Sequence, residues 1–246
     1  YKRPSVLHSI RAEPNLVRKF LGTGDCWLLF DVLFYGNTLF QPVVLRTAFG
    51  AEAETIHKAA RDTALISAMA LPGYFCSVWM VGRQSLRYIQ LQGFLAMVIL
   101  YSSIALFFDD MSGHQYLLLS VYGSTFFFSN YGPNATTFML PSMTFSRSCR
   151  STLNGICAAC GKIGALLGSI IFVTAAQTFG QMIVFWSCSF LSLVGFIITI
   201  LCVTTNGSHD GNVDADPSNS SPPHSQGIAD GEERIPIVVQ TSTNAV

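Results

Sequence analysis

Six apolar runs dominate this chain, at residues 21–45, 63–81, 89–108, 116–145, 151–176 and 182–203. Each is near or above the roughly 20 residues a helix needs to cross a bilayer. Backbone groups in lipid must be paired within the protein, and the runs are too long and too uniformly apolar for barrel strands, so helices are the reading that remains. Composition agrees: 50% of the 246 residues are hydrophobic and 11% charged, where soluble domains carry about 25% charge. A water-soluble enzyme is excluded on that ground, and a formal net charge of zero offers no basic field for nucleic acid. The expectation is an all-α membrane protein with three parts: a cytoplasmic linker at 1–20, a six-helix transmembrane unit at 21–204 and a disordered cytoplasmic tail at 205–246.

Orientation follows from the placement of Lys and Arg in short loops. Lys2, Arg3, Arg11, Arg18 and Lys19 precede the first run, Arg83 and Arg87 separate the second from the third, and Arg147 and Arg150 separate the fourth from the fifth. The alternate loops hold Arg46, Lys58 and Arg61 beside Glu52, Glu54 and Asp62, and then the acidic pair Asp109 and Asp110. Both termini are therefore expected in the cytoplasm. The tail is rich in Asn, Ser, Asp, Pro and Gly and cannot bury enough apolar surface to offset the entropy of ordering. Its acceptor patterns at Asn206 and Asn219 read as chance matches in a cytoplasmic segment. The chain opens on Tyr1 in a polar, linker-like stretch and reads as a fragment of something longer.

Two charges sit deep inside apolar runs, Asp31 in the first and Lys162 in the fifth. Such charges are costly and mark functional positions. Trp27 lies one helical turn before Asp31 and Tyr35 one turn after it, so an indole N–H, a carboxyl and a phenol share one helix face over about 12 Å. Asp25, near the end of the same run, can reach water. In the fourth run, Asn130, Asn134, Thr136 and Thr137 cluster around Pro133, and a kinked polar helix lines cavities. Around Lys162, the small residues Gly155, Gly161, Gly164 and Gly168 allow close helix approach. Cys157 and Cys160 form a Cys-x-x-Cys with no second ligand pair, which reads as small-residue packing rather than a metal site. The seven cysteines suggest no disulfide framework.

Three stretches carry a family resemblance: FLGTGDCWLLFDVLFYGNTLFQ, FFFSNYGPNATTFMLP and RSTLNGICAACGKIGALLGS. In this order they resemble the second half of the fungal and plant phosphate:proton symporters of the major facilitator superfamily, over nearly the whole chain up to residue 203. The resemblance implies a twelve-helix carrier built from two six-helix halves, each made of two inverted three-helix repeats. It also implies that Trp27, Asp31, Tyr35 and Asn134 contact phosphate, and that Lys162 lies near the central cavity. The loop Gly82-Arg83-Gln84-Ser85-Leu86-Arg87 departs from the family's Asp-Arg-x-Gly-Arg, which places the gating latch of this half in doubt.

A carboxylate beside phosphate repels it unless protonated, so proton and phosphate are expected to bind together at Asp31. Trp27, Tyr35 and Asn134 then donate hydrogen bonds to phosphate oxygens, and Lys162 pairs with an acid of the missing N-terminal half. The implied partners are phosphate, protons, the lipid bilayer and that N-terminal half, with the plasma membrane as location. No cofactor is implied, and no Ser, His and Asp constellation or phosphate-cradling glycine loop suggests an enzyme. Two alternatives stand beside this reading: a carrier of the same fold for a sugar or organic ion, although Asn37, Thr38 and Gln41 do not reproduce the Gln-Gln pair of sugar porters, and a half-protein that binds phosphate without transporting it.

Overall fold

The computed structural model describes residues 5–49 and 56–204. The expectations for the tail and its Asn206 and Asn219 patterns, and those for Lys2, Arg3, Glu52 and Glu54, lie outside them. All regular structure among the described residues is helical. Two short helices come first, α1 (Val6–Arg11) and α2 (Leu16–Phe20). A π-helical turn at Leu21–Asp25 then joins α2 to α3 (Cys26–Phe49). There follow α4 (Ile56–Val81), α5 (Leu86–Leu106), the short α6 (Phe108–Ser112), α7 (Gln115–Tyr131), α8 (Pro133–Thr144), α9 (Arg150–Phe179) and α10 (Gln181–Cys202).

Among the described residues, five helices are long and apolar enough to cross a bilayer: Leu16–Arg46, Thr63–Val81, Leu86–Leu106, Arg150–Phe179 and Gln181–Cys202. The remaining apolar run, at 116–145, is divided. Gly132 leaves helical geometry with ψ at −100°, and Pro133 becomes the first residue of α8, where its missing N–H costs nothing. A Cβ at Gly132 would come within 2.6 Å of the Gly93 Cα, so the break falls where α5 crosses at backbone contact. The sequence leads one to expect a proline kink in a continuous helix. The structure has a glycine break with the proline starting a new segment, so that Asn134 lies in the first turn of α8.

The interior is largely aromatic. Phe30, Phe40, Tyr101, Tyr122 and Phe185 are almost fully buried, and the Phe185 ring meets Phe40, Phe108 and Tyr122 at centroid distances of 5.7, 5.8 and 6.2 Å. Several polar groups within this core are paired, as lipid favours, whereas the buried Gln41 Nε2 and Ser77 Oγ have no protein partner among the described residues. Asn37 donates to the Tyr101 hydroxyl at 2.8 Å and accepts from Tyr122 at 3.0 Å. Gln90 donates to Thr199 at 2.9 Å and accepts from Thr136 at 2.7 Å, which ties α5, α8 and α10 together. Large side chains such as Phe75, Val78 and Trp79 of α4 are exposed, as a lipid-facing surface demands.

One end of the bundle is held by charge and capping. The Arg18 and Arg87 guanidinium groups donate to the carbonyls of Leu201 and Ile200 in the last turn of α10, at 3.0 and 2.8 Å. Those carbonyls lack partners inside their own helix and carry the negative end of its dipole, so Arg18 and Arg87 cap it. Beside them Glu13 is buried between α1 and α2. It pairs with Lys19 at 2.6 Å and accepts from the Ser146 hydroxyl at 2.5 Å and the Cys149 thiol at 3.2 Å. Burial alone would push the Glu13 carboxyl up, but the donors from Lys19, Ser146 and Cys149 outweigh it and hold the group below its ordinary 4.5. This closes the leading segment onto the loop between α8 and α9, over a small apolar cluster of Phe145, Cys149, Leu153 and Cys157 that Trp27 also touches.

Candidate functional site

The site begins with how closely α9 approaches α3. A Cβ at Gly164 would sit 2.2 Å from the Leu28 carbonyl oxygen, and one at Gly168 at 2.2 Å from that of Val32. Only glycine allows this, and the approach brings the backbones together without intervening side chains. One turn earlier, at Gly161, the same absence of a side chain makes a recess. A Cβ there would meet the Trp27 Nε1 at 2.6 Å and the Asp31 Oδ2 at 3.0 Å, so the indole N–H and the carboxyl converge on one point above the α9 backbone. Gly155, expected to pack in the same way, has nothing within 4 Å and takes no part.

Asp31 is 5% exposed. Its electrostatic neighbours are Lys162 and the Trp27 side chain. Lys162 is exposed next to Gly161, with its Nζ 5.7 Å from the centre of the Tyr35 ring. No ion pair within 4 Å joins Asp31 to Lys162. Trp27, Asp31, Tyr35 and Lys162 thus lie along one seam, with the acid at the back and the phenol and ammonium at its open side.

A second wall comes from α8 and α4. The Trp27 ring packs edge-on against Phe138 at 5.9 Å, one turn along α8 from Asn134. Asn134 donates to the Asn130 Oδ1 at 2.8 Å and to the Tyr74 hydroxyl at 2.6 Å. Both of its amide hydrogens are therefore given to the protein. Tyr74, on α4, is 42% exposed and interacts electrostatically with Tyr35, which brings the second wall round to the first. Phe138, Tyr74, Tyr35 and Lys162 form the open side of this arrangement.

Tyr74 and Gly161 are the residues that sequence reasoning missed in these roles. Tyr74 sits in an apolar run with only Ser77 polar within one turn, and its partner is 60 positions away. Gly161 was visible only as one small residue among several. A separate apolar groove, lined by Leu28, Val32, Leu167, Phe172 and Trp186, lies on a neighbouring face of α3 and contains none of the polar site residues.

A bundle of bilayer-length helices with a buried acid at its centre defines a multi-pass integral membrane protein. The chain belongs to the sugar (and other) transporter family, whose model matches residues 30–208. It is 34% identical over 197 residues, 76% of its length, to a probable inorganic phosphate transporter of Arabidopsis thaliana. It is 40% identical over 152 residues, 60% of its length, to the inorganic phosphate transporter PHO84 of Saccharomyces cerevisiae. To a putative inorganic phosphate transporter of Schizosaccharomyces pombe it is 33% identical over 202 residues, 80% of its length. The chain spans 38%, 26% and 35% of the length of these three relatives.

Proposed function

We propose that this chain is the C-terminal half of a proton-coupled phosphate carrier of the major facilitator fold. The α7–α8 pair serves as the sixth membrane pass, both ends lie in the cytoplasm, and a second six-helix half closes the open side of the recess. The observation that carries this reading is the convergence of Asp31 and Trp27 over Gly161, with Lys162 and Tyr35 at the rim. The relatives' names supply the solute, inorganic phosphate.

In this mechanism Asp31 accepts a proton from the outer side, which removes the like charge that would repel phosphate. Trp27, Tyr35 and Asn134 donate hydrogen bonds to phosphate oxygens, Asn134 exchanging its bond to Tyr74 for one to the anion, and Lys162 supplies positive charge at the rim until it pairs with an acid of the other half. Rocking of the halves then exposes the site to the cytoplasm of a cell bounded by its plasma membrane. Loss of the proton there restores the charge on Asp31 and expels phosphate. The test is reconstitution of the complete two-half carrier in proteoliposomes with an imposed pH gradient. Radiolabelled phosphate should accumulate inside, with competition by arsenate and none by hexoses. Competition by a hexose with no phosphate uptake would overturn the proposal.

A further inference from the structure

One turn before the recess, a buried hydrogen bond joins the two sides of the α3–α9 seam. Thr23 lies in the π-helical turn that leads into α3, and Cys157 lies on α9. They are 1% and 0% exposed, and the Thr23 Oγ1 is 3.4 Å from the Cys157 Sγ. The direction of the bond follows from the neighbours. A threonine hydroxyl has one hydrogen, and its other contacts are the carbonyl oxygens of Lys19 at 2.8 Å and Phe20 at 3.5 Å, which can only accept. The hydrogen goes to Lys19, the shorter bond, so the Cys157 thiol donates to Thr23. One member of the Cys-x-x-Cys pair thus does more than fill space: it ties α9 to a residue 134 positions away.

We infer that this hydrogen bond is the pin that sets the register of α3 on α9, and that Thr23 and Cys157 are positioning residues for Trp27 and Asp31. The inference rests on the proposed phosphate site and deepens it. Trp27 follows Thr23, and Gly161 follows Cys157, at the same interval of four residues, about 6 Å of rise. The bond therefore stands next to the point where the indole N–H and the Asp31 carboxyl meet over Gly161. Beyond it the seam runs over Gly164 against Leu28 and Gly168 against Val32. Glycine contacts set how close two helices come, whereas a hydrogen bond is directional and resists sliding of one along the other. The same turn is braced on another side by Gly22, where an added Cβ would come within 3.1 Å of Cys202 and Val203 of the α10 end. A slip of about 1 Å would carry Trp27 and Asp31 off Gly161, and displacements of that size can cost about a hundredfold in rate.

The experiment measures phosphate uptake by the complete carrier in proteoliposomes, per amount of folded protein, for Thr23→Val, Cys157→Ala, their double variant and the conservative Thr23→Ser and Cys157→Ser. Thr23→Val keeps the shape of the side chain and removes the acceptor. It is expected to raise KM for phosphate about tenfold. Cys157→Ala is expected to do the same, and the double variant to be no worse than the poorer single variant, because both act through one bond. Thr23→Ser and Cys157→Ser each keep a hydroxyl able to make the bond and are expected to stay within about twofold of the parent. Multiplying effects in the double variant, or a Thr23→Val carrier with a lower unfolding temperature and an unchanged KM, overturns the inference. If Thr23→Val does not accumulate in the membrane, the comparison of Cys157→Ala with Cys157→Ser decides it, and equal KM values overturn it. Failure of the wild-type carrier to take up phosphate sinks the proposed function instead, so the two failures are distinguishable.

Discussion

Two acid and lysine partnerships in this chain are built in opposite ways. Glu13 and Lys19 are closed at 2.6 Å, and the same carboxylate accepts further hydrogens from Ser146 and Cys149. Asp31 and Lys162 sense one another across the α3–α9 seam but form no ion pair within 4 Å, and the lysine stands exposed at the rim. A saturated carboxylate has little capacity left for a new ligand, whereas an acid with one indole neighbour and a distant ammonium can still take a proton. The first partnership fastens a segment to a loop. The second keeps its valences for a solute.

The largest expected effect comes from filling the recess. Gly161→Val places atoms where Trp27 and Asp31 now meet and should lower initial phosphate uptake by about a hundredfold, while Gly155→Ala on the same helix, with open space around it, should leave uptake unchanged. Equal effects of the two would remove the seam from the site. Next is Lys162→Ala, expected to cut uptake at low phosphate about tenfold with membrane insertion intact, as judged by elution of the solubilised protein. Full activity would reduce Lys162 to a surface charge.

The closed partnership should respond in stability and not in transport. Glu13→Gln is expected to lower thermal stability in detergent by about 2 kcal/mol, with KM for phosphate unchanged. The Glu13 carboxyl is held below its ordinary 4.5, so its contribution is present above that value and disappears as pH falls through the lower folded value. Unfolding temperature measured downward from pH 5 should therefore fall for the parent and flatten for Glu13→Gln. A parallel decline in both would assign the acid sensitivity to other groups.

Much of this was legible in the sequence, for reasons that differ by residue. The apolar runs gave the long helices because lipid leaves few alternatives for the backbone, and Asp31 stood out because charge is rare in such runs. Trp27 and Tyr35 followed from helical spacing alone. What escaped depended on contacts between distant segments. Pro133 drew attention, but the break lies at Gly132 because Gly93 of α5 crosses there. Glu13 lies in the polar leading stretch without a local signal, and its burial depends on a loop 133 residues away. Asn37 differs in sequence from the sugar-porter pair and carries no other local signal, yet it joins Tyr101 and Tyr122 inside the core. Tyr74 carried no local signal at all.

The claim on which the others depend is that Asp31 exchanges a proton as phosphate passes. The most direct measurement is initial phosphate uptake by Asp31→Asn against external pH, in proteoliposomes of the complete carrier with the parent alongside. The parent should slow as the pH gradient is dissipated, and Asp31→Asn should show uptake that no longer follows the gradient and no accumulation against a phosphate gradient. Accumulation by Asp31→Asn that still tracks the imposed pH difference as the parent does would contradict it, and would place the proton on another group.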